Sequence, residues 1–291
     1  MEEWGIALKM PINWDLKLKF FVLPSRPTPS IISRRKWFRA LKIGDRLIPV
    51  SVEIVDKEVR VRSIRIKKKE KRKIEELIFE YFGLGDPSSL YNFMRSDEKL
   101  SLLLKKFPNF GKGIRMSIYV FEGIVKAIIQ QQIAFKVAEN IAANLIEKYG
   151  ENIRFGGKRV FDFPTPSLLS RLSMEDLKGC GLSKRKAEVI INVSKAALEY
   201  DLENLKRLKQ NEVYEFLTSF KGIGRWTAEL VMSMSLGFNV IPLCDLGVRR
   251  VLTRLYPEYS NNLEILAKKF GNFSNDILCY LFLEDRIGER T

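Results

Sequence analysis

The chain has 291 residues, 46% of them apolar, which is enough for one large or two modest cores. With no histidine and only three widely spaced cysteines, Cys180, Cys244 and Cys279, it excludes Ser-His and Cys-His nucleophile pairs, His-ligated metals and four-thiolate iron–sulfur clusters, leaving acid–base work to Asp, Glu, Lys or Tyr. Fifty Lys and Arg against 35 Asp and Glu, a formal charge of +15, favour an anionic partner, most simply nucleic acid, although a thermophilic or merely soluble basic surface has the same balance.

Residues 1–86 predict an antiparallel sheet with a helix. Leu16 to Leu23 is an apolar run broken by Lys17 and Lys19, a strand-like alternation. Trp37 to Leu41, Arg46 to Val55 and Glu58 to Ile66 predict further strands, with Val50, Val52 and Ile54 on one face of the second and Asp56-Lys57 as a hairpin turn. The basic run Lys67 to Lys73 reads best as a solvated helix start, phosphate contact being the alternative. Ile74 to Phe82 predicts an amphipathic helix lying on the sheet.

Residues 87–291 predict a mostly helical region, so the class is α+β. Tyr119 to Tyr149 has helical periodicity with a break near Gln130-Gln131-Gln132. Pro164-Thr165-Pro166-Ser167 opens a helix, and Ser173-Met174-Glu175-Asp176 opens another in capping-box style. Ser183 precedes a helix over Lys184 to Tyr200. Further helices are expected over Leu246 to Leu255, Leu263 to Phe270 and Ser274 to Leu283.

Phe220-Lys221-Gly222-Ile223-Gly224-Arg225-Trp226-Thr227-Ala228 lies between two helical patterns, Asn211 to Phe220 and Trp226 to Leu236, so that residues 211–236 predict a helix-hairpin-helix. The glycines permit positive φ and close backbone approach. The second helix presents unpaired N–H groups at its start, which suit a phosphate oxygen and hold DNA without reading its sequence. An ordinary corner of a helical bundle has the same pattern. Asp245 follows about twenty residues later; taken alone it reads as the N-cap of the next helix.

The chain resembles the helix-hairpin-helix DNA glycosylases, specifically their alkylation-repair 3-methyladenine branch. Three ordered blocks carry the likeness: FPTPSLLSRLSMEDLKGCGLSKRKAEVI (163–190), FKGIGRWTAELV (220–231) and CDLGVRR (244–250), with weaker similarity in FEGIVKAIIQQQIA (121–134) and the N-terminal sheet. The resemblance implies excision of an alkylated or deaminated purine flipped out of double-stranded DNA. Asp245 matches the catalytic aspartate, which stabilises the oxocarbenium-like sugar and orients or deprotonates water. Lyase-competent relatives place a Schiff-base lysine where this chain has Trp226, and Lys221 does not match it, so a monofunctional enzyme is expected.

Trp226 also matches a pocket aromatic suited to a cationic purine, core packing being its alternative. Leu230 replaces a pocket tyrosine, and Phe270 and Phe273 fall where relatives carry tryptophans. Gln132 falls at the wedge that fills the gap left by the flipped nucleotide, with bonding to the orphaned base or a plain helix break as alternatives. The resemblance further implies DNA contacts from Lys221, Gly222, Ile223, Gly224, Arg225 and Thr227. A Na or K ion would sit on the carbonyls of Thr218, Phe220 and Ile223, with no cofactor otherwise required. A monomer is expected. No apolar run spans a bilayer and no signal-peptide pattern opens the chain, so no membrane association and an intracellular setting are expected. An oxidised-guanine glycosylase and a non-catalytic damage sensor are the competing readings.

Overall fold

Five antiparallel strands make the N-terminal sheet of this computed structural model, which describes residues 1–288 with side chains through Arg286. They are β1 (Glu2–Ala7), β2 (Ile31–Ser33), β3 (Lys36–Ile43), β4 (Arg46–Val55) and β5 (Glu58–Ser63), in the spatial order β1-β5-β4-β3-β2. Alternation sets the register. Val50, Val52 and Ile54 of β4 and Val59 and Val61 of β5 are all buried, and Val52 pairs with Val61.

The segment 16–23 is not a strand. It begins with helix α1 (Trp14–Leu18), capped by Asn13, whose side chain accepts the Leu16 N–H at 3.2 Å. Local capping overrides the apolar alternation, and Lys17 becomes fully buried. Beyond the helix, Phe20 stacks on Phe110, and Phe21 packs on Tyr81 and Phe82.

Helix α2 (Lys68–Phe82) starts in the basic run, most of which is exposed. Its apolar face, Ile74, Ile78, Tyr81 and Phe82, lies on the sheet, with Phe82 edge-on to Trp37 at 5.4 Å.

The remainder is built from α3 (Ser88–Arg95), α4 (Glu98–Lys106), α5 (Val120–Gln130), α6 (Phe135–Tyr149), α7 (Pro166–Leu169), α8 (Met174–Lys178), α9 (Lys184–Glu199), α10 (Gln210–Thr218), α11 (Arg225–Val231), α12 (Leu246–Leu255), α13 (Leu263–Phe270) and α14 (Ser274–Gly288). The expected caps form: Thr165 accepts from Leu168 N–H, Ser173 from Asp176 N–H and Ser183 from Lys186 N–H. After α11 the helix widens into one π turn, Met232–Leu236. Between α6 and α7 lies an unexpected two-stranded hairpin, β6 (Asn152–Phe155) and β7 (Lys158–Phe161). Its turn, Gly156-Gly157 with φ of 57° and 74°, is the signal in the sequence that marks it.

One buried ion triad locks the sheet to the helices. Arg39 of β3 donates to Glu122 of α5 at 2.7 Å and to Asp162, just after β7, at 3.0 Å. Burial pushes the Asp162 carboxyl up, opposed by Arg39. Asp162 also accepts the Lys42 N–H at 2.8 Å, and Tyr119 donates to the Lys42 carbonyl at 3.0 Å. The start of α5 is thereby fixed against β3. Among the described residues no helix is long and apolar enough to cross a membrane.

Candidate active site and nucleic-acid interface

The hairpin is held from below. Ile223 is buried and pegs the loop into the core, so of this residue only the backbone is available to a ligand. Gly222 adopts φ of 107°, and a Cβ there would lie 2.5 Å from Val189 Cγ2. Gly224, by contrast, is extended, with φ of −99°, and has nothing within 4 Å of a Cβ. Only the first glycine thus needs left-handed backbone; the second leaves open space at the start of α11. Lys221, Gly224 and Arg225 are exposed around that space. Arg225 is partly engaged, donating to Glu229 at 2.7 Å.

Thr227 borders the groove beside the hairpin with little of its side chain exposed. Its hydroxyl accepts from Gln131 Nε2 at 2.9 Å. The same amide of Gln131 donates to the Gly222 carbonyl at 2.9 Å, and Lys186 Nζ donates to the carbonyls of Ile129 and Gln131 at 2.8 and 2.7 Å. The Gln131 bonds tie the end of α5 to the hairpin, and those of Lys186 tie it to α9. Gln132, next in the turn, is exposed with φ of 56°.

Asp245 stands where these parts meet. Its Oδ1 caps α12 by accepting the Val248 N–H at 3.0 Å, and its Oδ2 accepts the indole N–H of Trp226 at 3.0 Å. The cap takes only Oδ1, and Oδ2, with a single donor, keeps a lone pair toward the space beside it. Asp245 lies at the boundary of two concavities. One is an open groove of about 850 Å³ bordered by Gln132, Arg185, Gly222, Gly224, Arg225 and Leu246. The other is a deeper cavity of about 310 Å³.

The cavity combines aromatic and aliphatic walls with several charged side chains, Asp245, Lys126, Glu139 and Arg286 among them. Trp226, Leu230 and Met234 come from α11 and its π turn, Ile133 from the turn before α6, Phe135 from the first position of α6, and Phe282 from α14. Phe20, Phe21 and Tyr81 come from the N-terminal third, a contribution that sequence patterning hides because pocket and core aromatics look alike. Lys126 and Glu139, 3.5 Å apart and nearly buried, line it too, and Lys126 donates to the Thr28 carbonyl at 3.0 Å. Arg286 lies 4.3 Å from the Phe135 ring centroid and 5.3 Å from that of Phe20, and burial lowers its affinity for a proton.

Phe270 and Phe273 do not join this cavity. Phe270 is buried beside Tyr256, with ring centroids 6.3 Å apart, and Phe273 packs on Phe93 at 4.9 Å. Phe270 holds α13 against Tyr256, and Phe273, in the turn between α13 and α14, packs on α3, while α14 supplies the aromatic Phe282 instead.

Residues 125–271 match the HhH-GPD superfamily of base excision DNA repair proteins, and residues 3–86 match the AfAlkA-like, TATA-box binding protein-like domain. The structure superposes on a 3-methyladenine DNA glycosylase from Archaeoglobus fulgidus with a TM-score of 0.93 and 45% identity, covering 98% of this chain and 99% of that one. DNA-3-methyladenine glycosylase 1 of Schizosaccharomyces pombe is 33% identical over 67% of this chain and 86% of its own length. The Bacillus subtilis DNA-3-methyladenine glycosylase is 27% identical over 72% of each. The chain belongs to the HhH-GPD superfamily of base excision DNA repair proteins.

Proposed function

We propose that the protein is a monofunctional DNA glycosylase that hydrolyses the N-glycosidic bond of alkylated or deaminated purines flipped out of duplex DNA. The observation that carries this is Asp245: a carboxylate fixed by Trp226 and the α12 N-terminus, at the junction of a basic groove and an aromatic cavity. The groove suits the duplex backbone, which the hairpin amides and Arg185 grip without reading sequence. The cavity suits one extruded base, stacked on aromatic faces. As the bond breaks, positive charge grows on the sugar; the Asp245 carboxylate opposes it and steers water to the same carbon.

Trp226 gives the enzyme no Schiff-base amine at the lysine position, so strand cleavage is not part of the reaction. A non-catalytic sensor has no use for a carboxylate held at the cavity lip. A Na or K ion on the hairpin carbonyls of Thr218, Phe220 and Ile223 remains part of the proposal. Phe220 already accepts the Ile223 N–H at 2.9 Å and keeps a second lone pair for such an ion.

The test is single-turnover excision from duplexes bearing 3-methyladenine, 7-methylguanine, 1-methyladenine, hypoxanthine, uracil and 8-oxoguanine. Asp245→Asn should keep the Val248 cap and DNA binding but lower excision at least about a hundredfold. Borohydride should trap no adduct. Full activity of the Asn variant, or a stoichiometric adduct, overturns the proposal.

A further inference from the structure

Leu246 is 83% exposed, though a leucine at the start of a helix has every chance to fold back on the core. A lone exposed leucine ordinarily needs no explanation. This one is adjacent in sequence to Asp245 and borders the same groove as Gln132. Its base is rigid. Asp245 on one side is held by Val248 and Trp226, and Gly247 on the other is so close to Asp285 that a Cβ would fall 2.7 Å from the carboxylate. The side chain is therefore presented to solvent by a fixed backbone.

We propose that Leu246 is a second duplex-entering residue, which packs into the stack at the lesion step across the groove from Gln132 and holds the nucleotide out. The inference rests on the glycosylase reading. If Asp245 reaches the sugar of the flipped nucleotide, the next residue, with its Cα about 3.8 Å away, meets the same nucleotide or the neighbouring step. Apolar side chains inserted between base steps keep DNA unstacked. Gln132 has polar ends for the orphaned base, and Leu246 supplies the apolar volume that a glutamine lacks. Arg185 and Arg225, bordering the same groove, bring the phosphates to it.

The experiment compares wild type, Leu246→Ser and Leu246→Met on 7-methylguanine or hypoxanthine, whichever wild type excises. Each lesion is placed in a fully paired duplex, opposite an abasic analogue and in a single strand. Leu246→Ser should melt like wild type yet lose roughly tenfold or more in single-turnover excision from the paired duplex, the scale of one lost buried aliphatic contact. The loss should shrink to less than about twofold where the lesion is already unpaired, and Leu246→Met should restore most of it. 2-Aminopurine beside the lesion should brighten on binding wild type and much less with Leu246→Ser. Equal losses on all three substrates, or unchanged 2-aminopurine signals, overturn the proposal. Wild type that excises nothing instead overturns the glycosylase reading, and the 2-aminopurine comparison still decides the role of Leu246.

Discussion

The indole N–H of Trp226 donates to Asp245 Oδ2 at 3.0 Å, while the same ring lines the cavity. One side chain thus does two things: it faces the base and it fixes the carboxylate. Removing the N–H should therefore act on every substrate, not only on cationic ones.

Trp226→Phe keeps an apolar ring but leaves Asp245 Oδ2 without its donor. A hydrogen bond to a charged group is worth about 1.5–3 kcal/mol, so excision should fall roughly ten- to a hundredfold even for neutral hypoxanthine. Cationic 3-methyladenine should lose somewhat more, because phenylalanine is the weaker cation–π partner. Single-turnover rates on both lesions, with thermal unfolding as control, decide it. An unchanged rate on hypoxanthine would show that the bond to Asp245 does not matter in the reaction.

The two hairpin glycines should separate stability from binding. Gly222→Ala meets Val189 in a backbone conformation with φ of 107°, so it should destabilise the fold by about 1–3 kcal/mol. Gly224→Val has open space and extended backbone, so the melting temperature should barely move. It should instead weaken damaged and undamaged DNA severalfold and alike, because the added bulk stands where a phosphate approaches the amides. If Gly224→Val weakens only lesion DNA, the hairpin belongs to the base pocket.

The hairpin, its flanking helices and Asp245 were legible because their signals are local: glycines at a turn, capping residues, helical periodicity. Thr165, Ser173 and Ser183 cap as their sequence context demands for the same reason. Phe20, Phe21 and Tyr81 were not legible, since nothing local distinguishes an aromatic that lines a cavity from one that fills a core. The placement of Phe20 and Phe21 depends on α1, where the Asn13 cap outweighs an alternation that imitates a strand. Phe270 and Phe273 failed differently. A positional match to tryptophans carried them into the pocket, whereas Phe270 packs on Tyr256 and Phe273, just beyond α13, packs on Phe93. Thr227 borders the groove, but its hydroxyl is already engaged by Gln131, a long-range pairing that no local pattern announces.

The triad of Arg39, Glu122 and Asp162 should behave as a lock rather than a reserve of stability. Arg39→Met leaves two carboxylates buried with no counter-ion and should destabilise by about 3–5 kcal/mol in urea unfolding. Adding Glu122→Leu and Asp162→Asn to that variant should recover much of the loss, because the charges that needed pairing are gone. A single variant within 1 kcal/mol of wild type (roughly the value of an exposed pair) would mean that water reaches the triad.

Lys17 should make stability depend on pH in the alkaline range. It is fully buried, donates to the Lys112 carbonyl, and sits 4.1 Å over the Phe110 ring. Burial lowers its pKa from 10.5 to about 7, with Cys279 and Asp276 acting the other way. The unfolded chain then holds a proton that the folded chain has released whenever the pH lies between about 7 and 10.5, so stability from this residue rises with pH across that window. It is fully present above the unfolded value and lost as pH falls toward 7. Lys17→Met carries no proton in either state and serves as the reference. Thermal unfolding at pH 6.5, 8 and 9.5 (roughly spanning the window) should show wild type gaining on the variant at each step, by an amount on the order of 1 kcal/mol or more in total. The loop that Lys17 anchors leads directly into Ile114, Arg115 and Met116 of the cavity wall, so excision by the variant should be compared at the same pH values. A stability difference that stays constant from pH 6.5 to 9.5 would show that Lys17 keeps its proton inside the protein, held by the Lys112 carbonyl and the Phe110 ring.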